Sequence, residues 1–171
     1  VRSQIDQDIL ENAIETLVNA KRVEFYAFGG SAPVAMDGQH KFFRLKIPSS
    51  YISDPHLQFM SANSLERDDV VVAISQSGTT TALIESVKIV RKNGAKVIGI
   101  MPGETPLANI CDFPLTINVG INNRISKPVT SRIAYTAVID VLTMGVAQLK
   151  PEAQDHLYNI ADSQRSLKID N

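Results

Sequence analysis

The chain has 171 residues, a size that suits one globular domain with a single hydrophobic core. Its 17 Lys and Arg residues against 18 Asp and Glu residues leave a net charge of −1, which argues against a basic surface for nucleic acid or membrane. The single cysteine, Cys111, excludes an internal disulfide. The sequence has no run of about 20 apolar residues, so we predict no membrane segment. We therefore expect the protein in the reducing cytoplasm.

Helix and strand patterns alternate along the first half of the chain. Pro48 places the second strand pattern at a sheet edge. Asp54-Pro55 is the start signal of a short helix. The elements predicted here are a helix over 3–20, a strand over 23–28, a helix over 32–44, a strand over 47–52 and a helix over 54–62.

The second half continues the alternation with a clearer central strand. The apolar run from Val70 to Ile74 is typical of a strand that is buried on both faces of a parallel sheet. Asn93-Gly94 ends the helix after it. The elements predicted here are a strand over 70–74, a helix over 80–93, a strand over 97–100, a short helix from 105, a strand over 115–119, a long helix over 131–149 and a tail helix over 151–160.

This alternation predicts an α/β fold, a three-layer α/β/α sandwich around a five-stranded parallel sheet. Right-handed crossovers leave few topologies, of which we predict the flavodoxin-like order 2-1-3-4-5. Ligands bind in such sheets outside the carboxyl ends of the strands, where the order reverses between the first and third strands. Two loops lie there, Gly29-Gly30-Ser31 (the glycine turn) and Ser75-Gln76-Ser77-Gly78-Thr79-Thr80 (the hydroxyl-rich loop).

The hydroxyl-rich loop has the composition of a phosphate site. It precedes a helix, whose first N–H groups and positive dipole end favour an anion. Gly78 allows close approach of the backbone, and Ser75 and Ser77 supply hydroxyl donors together with Thr80. The loop lacks the lysine of a nucleotide P-loop, and the glycine turn lacks the third glycine of a dinucleotide fingerprint. The alternative is that these side chains merely cap the helix.

Both loops resemble those of the sugar isomerase (SIS) domain family. The hydroxyl-rich loop matches that family's Ser-x-Ser-Gly-x-Thr phosphate motif, and Phe28-Gly29-Gly30-Ser31 is similar to its first loop, with Ala27 in place of the usual first glycine. The resemblance covers about residues 10–149 and narrows to RpiR-type transcriptional regulators, above all the HexR group. The residues that narrow it are Asp37, Lys41-Phe42, Arg44, Ser131-Arg132-Ile133-Ala134 and Val138-Ile139-Asp140-Val141-Leu142.

The resemblance implies a sensor, a single SIS domain over 1–171 that binds a phosphorylated sugar or sugar acid. HexR-type members respond to 2-keto-3-deoxy-6-phosphogluconate. RpiR-type proteins carry an N-terminal helix-turn-helix domain, so we expect residues 1–20 to be a linker helix and the chain, which starts at Val1, to be part of a longer protein. DNA would then be bound only by that separate domain. The resemblance also implies a homodimer.

The alternative is an aldose–ketose isomerase of phosphosugars, which has the same fold and needs an acid/base group. Glu85 is the carboxylate nearest to the hydroxyl-rich loop, but it shares a polar helix face with Lys88 and is expected to pair with it. His40 is either an ordinary packed or surface residue or reaches a site, including that of a partner subunit. His56 and His156 follow no metal-ligand spacing, so we predict no metal and no cofactor.

The start of the long helix supplies further candidate ligand contacts. Ser131 and Arg132 fall in its predicted first turn, where a cation opposes the helix dipole and needs an anion. That anion is either a structural carboxylate or the carboxylate of the ligand. The loop before it, over 120–130, is either an ordinary solvated loop or a lid.

Overall fold

The five strands form one parallel sheet in the order 2-1-3-4-5, which confirms the predicted topology. The computed structural model describes residues 5–119 and 127–165. The strands are β1 (Arg22–Ala27), β2 (Ser49–Ile52), β3 (Asp69–Ile74), β4 (Lys96–Met101) and β5 (Phe113–Thr116). The helices are α1 (Gln7–Val18), α2 (Ala32–Arg44), α3 (Pro55–Ser64), α4 (Thr81–Lys92), α5 (Lys127–Leu149) and α6 (Pro151–Arg165).

The two faces of the sheet are covered by separate hydrophobic clusters. Side chains alternate along each strand, so Val70 and Val72 of β3 belong to the cluster under α1, α2 and α5, whereas Val71 and Ala73 belong to the cluster under α3 and α4. Every residue of β3 is buried, as expected of the central strand. The molecule is therefore the predicted three-layer sandwich.

Two helices begin at acidic caps, of which Asp54 was predicted and Asp6 was not. The Asp54 carboxylate accepts a hydrogen bond from the Leu57 N–H at 2.9 Å, and Pro55 follows it as the first residue of α3. Asp6 caps α1 in the same way at 3.1 Å, through the N–H of Ile9. The observed helix α1, Gln7–Val18, is therefore shorter than the predicted helix over 3–20. Residues 3 and 4 lie outside the described part of the chain.

Strand β5 begins two residues and ends three residues before its predicted bounds. The strand was expected over 115–119 but runs from Phe113 to Thr116. The Asp112 carboxylate accepts the Val97 N–H at 2.9 Å, which places the next residue beside Ile98 of β4. Since β4 itself ends at Met101, the pairing cannot continue to residue 119. The short helix expected from residue 105 is a 3-10 turn over Ala108–Ile110.

Helix α5 begins at Lys127, four residues before the predicted start. Pro128 in its first turn is compatible with a helix start. Arg132 therefore lies in the second turn and not in the first, so the argument that it opposes the helix dipole was wrong. Residues 120–126, which hold most of the expected lid, are outside the described part of the chain. Helix α6 extends beyond residue 160, to Arg165.

Helix α5 is long and apolar enough, over Val129–Leu149, to cross a membrane by length and composition alone. It is nevertheless a core helix, because Val138 and Leu142 are fully buried against the sheet. The same helix carries the charged residues Arg132 and Asp140. A third of the apolar segment is buried in this chain, and the exposed apolar remainder is considered below.

Cys111 is half-buried against the cluster under α3 and α4, where it packs as a small apolar residue. Burial, together with the neighbouring Asp112 carboxylate, raises the pKa of its thiol to about 12. A raised pKa keeps the thiol protonated at neutral pH, which disfavours a role as a nucleophile.

Candidate phosphosugar-binding site

The glycine turn and the hydroxyl-rich loop meet at the carboxyl ends of β1 and β3. Ala27 pairs with Ile74 in the sheet, so the two loops leave neighbouring strands side by side. Between them lies a cavity of about 310 Å³, the main cavity. Its lining residues are Phe28, Gly30, Ser31, Ile74, Ser75, Gln76, Ser77, Thr80 and Leu83. The structure thus brings six of the predicted binding residues together where the strand order reverses.

Hydrogen bonds inside the hydroxyl-rich loop hold its serines in place. The buried Ser75 hydroxyl accepts the Gly78 N–H at 3.0 Å, and the Ser77 hydroxyl accepts both the N–H and the hydroxyl of Thr79. A serine hydroxyl that accepts still has its own proton to donate. Ser75 and Ser77 are therefore fixed by the loop with their protons available to an anion.

Gly78 is required by both its backbone and its surroundings. Its φ of +64° lies in the left-handed region, which side chains rarely adopt. A Cβ at this position would also collide with the side chain of Thr105, whose hydroxyl is held by hydrogen bonds in the turn after β4. The Gly78 carbonyl accepts the Leu107 N–H at 3.0 Å. The turn after β4 thus supports the hydroxyl-rich loop from behind.

Two helices start at the main cavity without a side-chain cap. Thr80 precedes α4 and Ser31 precedes α2, and neither side chain makes a capping hydrogen bond. This contrasts with Asp6 and Asp54 at α1 and α3, so the interpretation that these residues merely cap a helix does not hold for Thr80. Both helix dipoles direct their positive ends to the cavity, which suits a phosphate.

A smaller recess, the side cavity, adjoins the main one and has a volume of about 10 Å³. The two share Gly30, Ser31 and Gln76. The side cavity is otherwise lined by Val34, Ser131, Arg132 and Tyr135. The predicted contacts Ser131 and Arg132 therefore reach the site from α5, although the dipole argument failed. Within the described residues Arg132 makes no salt bridge, so no structural carboxylate partner was found there.

Tyr135 is a lining residue that the sequence prediction missed. It lies four residues after Ser131, on the same side of α5. That spacing from Ser131 was a usable signal, but the sequence analysis made no prediction for Tyr135. Burial raises the pKa of its hydroxyl to about 12, so the hydroxyl is protonated at neutral pH.

Three other candidate residues lie apart from both cavities. His40 is exposed on α2, nine residues beyond Ser31 and so about 14 Å further along the helix. Glu85 pairs with Lys88 at 2.7 Å, as predicted. Thr79 bonds to Ser77 but does not line the main cavity. In the part of the chain that is described, no group of three potential metal ligands occurs.

The residues Asp37, Lys41 and Asp140 form an ion cluster that joins α2 to α5. The Lys41 ammonium lies 2.6 Å from the Asp37 carboxylate and 2.5 Å from that of Asp140. Burial disfavours the charge on Lys41, but the hydrogen bonds to both carboxylates outweigh it and raise its pKa. These residues therefore position α5, and with it Arg132 and Tyr135, over the glycine turn.

Comparison with known proteins agrees with this geometry. HexR of Escherichia coli strain K12, an HTH-type transcriptional regulator, is 35% identical over 171 residues, covering 99% of this chain and 59% of HexR. HexR of Pseudomonas aeruginosa is 36% identical over 160 residues, covering 93% and 56%. This chain therefore spans a little over half the length of these relatives.

The fold also matches solved structures. Vibrio vulnificus NanR, determined in complex with ManNAc-6P, superposes with a TM-score of 0.90 at 21% identity, over 99% of this chain and 64% of that one. Residues 16–145 match the SIS domain family. This chain belongs to the SIS domain family, and HexR regulators are among its relatives.

Proposed function

We propose that this chain is the effector-binding domain of a transcriptional regulator of sugar catabolism. The observation that carries the proposal is the main cavity, where two uncapped helix starts and the hydroxyls of Ser75 and Ser77 converge. This arrangement suits a phosphate without a lysine or a metal. The names of the HexR relatives support a regulatory and non-catalytic role.

The ligand would lie with its phosphate on the hydroxyl-rich loop and its carbon chain towards α5. Ser31 and Gln76 line both cavities and would contact the sugar portion between them. Arg132, at the side cavity, would meet a carboxylate if the ligand is a sugar acid. The first candidate effector is therefore 2-keto-3-deoxy-6-phosphogluconate, as the resemblance to HexR-type regulators implies.

The output would come from a part of the protein outside this chain. DNA would be bound by an N-terminal helix-turn-helix domain in the cytoplasm, and α1 would connect it to the sensor. The effector would change DNA binding if it prefers one of two dimer arrangements. Helix α1 packs on α5, the helix that carries Arg132, which gives a direct route between ligand and linker.

A thermal-shift panel tests the proposed ligand class. The panel contains inorganic phosphate, glucose 6-phosphate, 6-phosphogluconate, 2-keto-3-deoxy-6-phosphogluconate and arabinose 5-phosphate. A ligand at a concentration of 100 times its Kd stabilises the folded state by about 2.7 kcal/mol. We therefore expect a phosphosugar to raise the Tm and its unphosphorylated form to leave the Tm unchanged. No shift with any phosphosugar would contradict the proposal, and turnover of arabinose 5-phosphate would favour the isomerase.

We further propose that the chain forms a homodimer through the exposed apolar faces of α2 and α5. Helix α5 is apolar on nearly all sides, yet Met144 remains 59% exposed. His40 lies between Met36 and Phe43 on the neighbouring face of α2, which would place it at the subunit contact. The exposed apolar side chains of this surface are Met36, Phe43, Ile133, Val141 and Met144.

The replacement Met144→Asp is expected to weaken self-association at least tenfold, because it would bury a carboxylate in an apolar contact. Met60→Asp is the matched control, since Met60 is similarly exposed, at 68%, but lies on α3 at the opposite face of the sheet. Sedimentation equilibrium of both variants measures the effect. A dimer that survives Met144→Asp, or that Met60→Asp disrupts equally, would place the interface elsewhere.

A further inference from the structure

The Tyr135 hydroxyl is a buried polar group without a hydrogen-bond partner. The residue is 1% exposed, and among the described residues none accepts from or donates to its hydroxyl oxygen. Most buried polar groups in proteins are paired, so an unpaired one calls for an explanation. An apolar core position would be filled as well by phenylalanine, without this unpaired oxygen.

Tyr135 lines the side cavity, next to the main cavity. The side cavity shares the lining residues Gly30, Ser31 and Gln76 with the main cavity. Its volume of about 10 Å³ admits a group of the size of one oxygen atom and no sugar ring. A ligand whose phosphate rests on the hydroxyl-rich loop would reach it with a single oxygen substituent.

We propose that Tyr135 is a specificity-determining residue whose hydroxyl binds one oxygen of the effector, on the part of the carbon chain remote from the phosphate. The inference rests on the proposed phosphosugar site and adds a contact to it. Because its hydroxyl carries a proton at neutral pH, Tyr135 would donate to a hydroxyl, carbonyl or carboxylate oxygen. Tyr135 would thereby distinguish a phosphosugar from phosphate alone.

The variant Tyr135→Phe tests this through binding and stability together. We expect about a tenfold loss of affinity for the phosphosugar of the panel that binds most tightly, and no change in affinity for inorganic phosphate. The ligand-free variant should melt at the same temperature as the wild type or higher, because it lacks an unpaired buried hydroxyl. A purely structural hydroxyl would give the opposite result, a lower Tm. Tyr158→Phe is the control, since Tyr158 is 72% exposed on α6.

Titration calorimetry and thermal melts separate this inference from the proposed function. Unchanged phosphosugar affinity in Tyr135→Phe overturns the inference but does not contradict the phosphosugar site. A bound water that pairs with the Tyr135 hydroxyl would give this result. If the wild type binds no phosphosugar more tightly than phosphate, the side cavity has no ligand role and the inference also fails. If the wild type binds neither phosphate nor phosphosugar, both are wrong.

Discussion

The double replacement Ser31→Ala/Ser77→Ala is expected to lower phosphosugar affinity by a factor of at least about 30. Both residues line the main cavity, where Ser77 would donate to the phosphate and Ser31 to the sugar portion of the ligand. A hydrogen bond to a charged group contributes about 1.5–3 kcal/mol and a neutral one about 0.5–1.5 kcal/mol, so the loss of both corresponds to roughly 2–4.5 kcal/mol of binding free energy. Calorimetry with the tightest ligand of the panel measures the loss.

The matched control for this variant is Ser53→Ala/Ser64→Ala. Both serines are exposed and line a groove beside β2 and α3, away from the main cavity. This control should bind like the wild type. Circular dichroism should show both double variants folded, since neither removes core volume. Wild-type affinity in Ser31→Ala/Ser77→Ala would show that the phosphate is bound elsewhere and that the site is assigned wrongly.

The replacement Gly78→Ala is expected to have the largest effect on stability. The added Cβ meets two separate costs, the left-handed φ of +64° and the collision with Thr105. The first costs about 1–2 kcal/mol and overpacking typically adds about 1–3 kcal/mol. A total of about 3 kcal/mol lowers the Tm of a domain of this size by about 6–12 °C. Phosphosugar affinity should fall as well, since the hydroxyl-rich loop is displaced.

Gly94→Ala separates the two costs. Gly94 also has a left-handed φ, of +88°, but the nearest atom to its added Cβ is in Arg67 at an ordinary distance of 3.8 Å. It ends α4 far from the main cavity. We expect a loss of about 1 kcal/mol and unchanged ligand affinity, measured by urea unfolding and calorimetry. Equal effects of Gly78→Ala and Gly94→Ala on stability and binding would mean that the contact with Thr105 plays no part.

Local sequence patterns were sufficient for the sheet and for half of the site. The apolar run of β3 and the Asp54-Pro55 start signal act over a few residues, and both gave elements where expected. The hydroxyl-rich loop and the glycine turn were found because each follows a strand directly. Once the strand order is known, the parallel sheet brings their ends together.

Predictions failed where a contact between distant residues decides the outcome. The start of β5 depends on the Asp112 carboxylate beside Val97, and no local pattern shows that partner. The start of α5 was placed four residues late, which put Arg132 in the wrong turn. His40 lies apart from both cavities of this chain, and its contact with the site of a partner subunit stays a prediction.

The sequence by itself determined that this chain is an α/β protein with a hydroxyl-rich loop after its central strand and a net charge of −1, because periodicity, loop composition and net charge are properties of the linear chain. Only the tertiary structure decided which residues of α5 lie opposite that loop. Ser131, Arg132 and Tyr135 are more than fifty residues from Ser77 along the chain, and α5 brings them to the side cavity by packing against α2 through Lys41 and Asp140. The packing of the helices, and not any local motif, therefore defines the second half of the site.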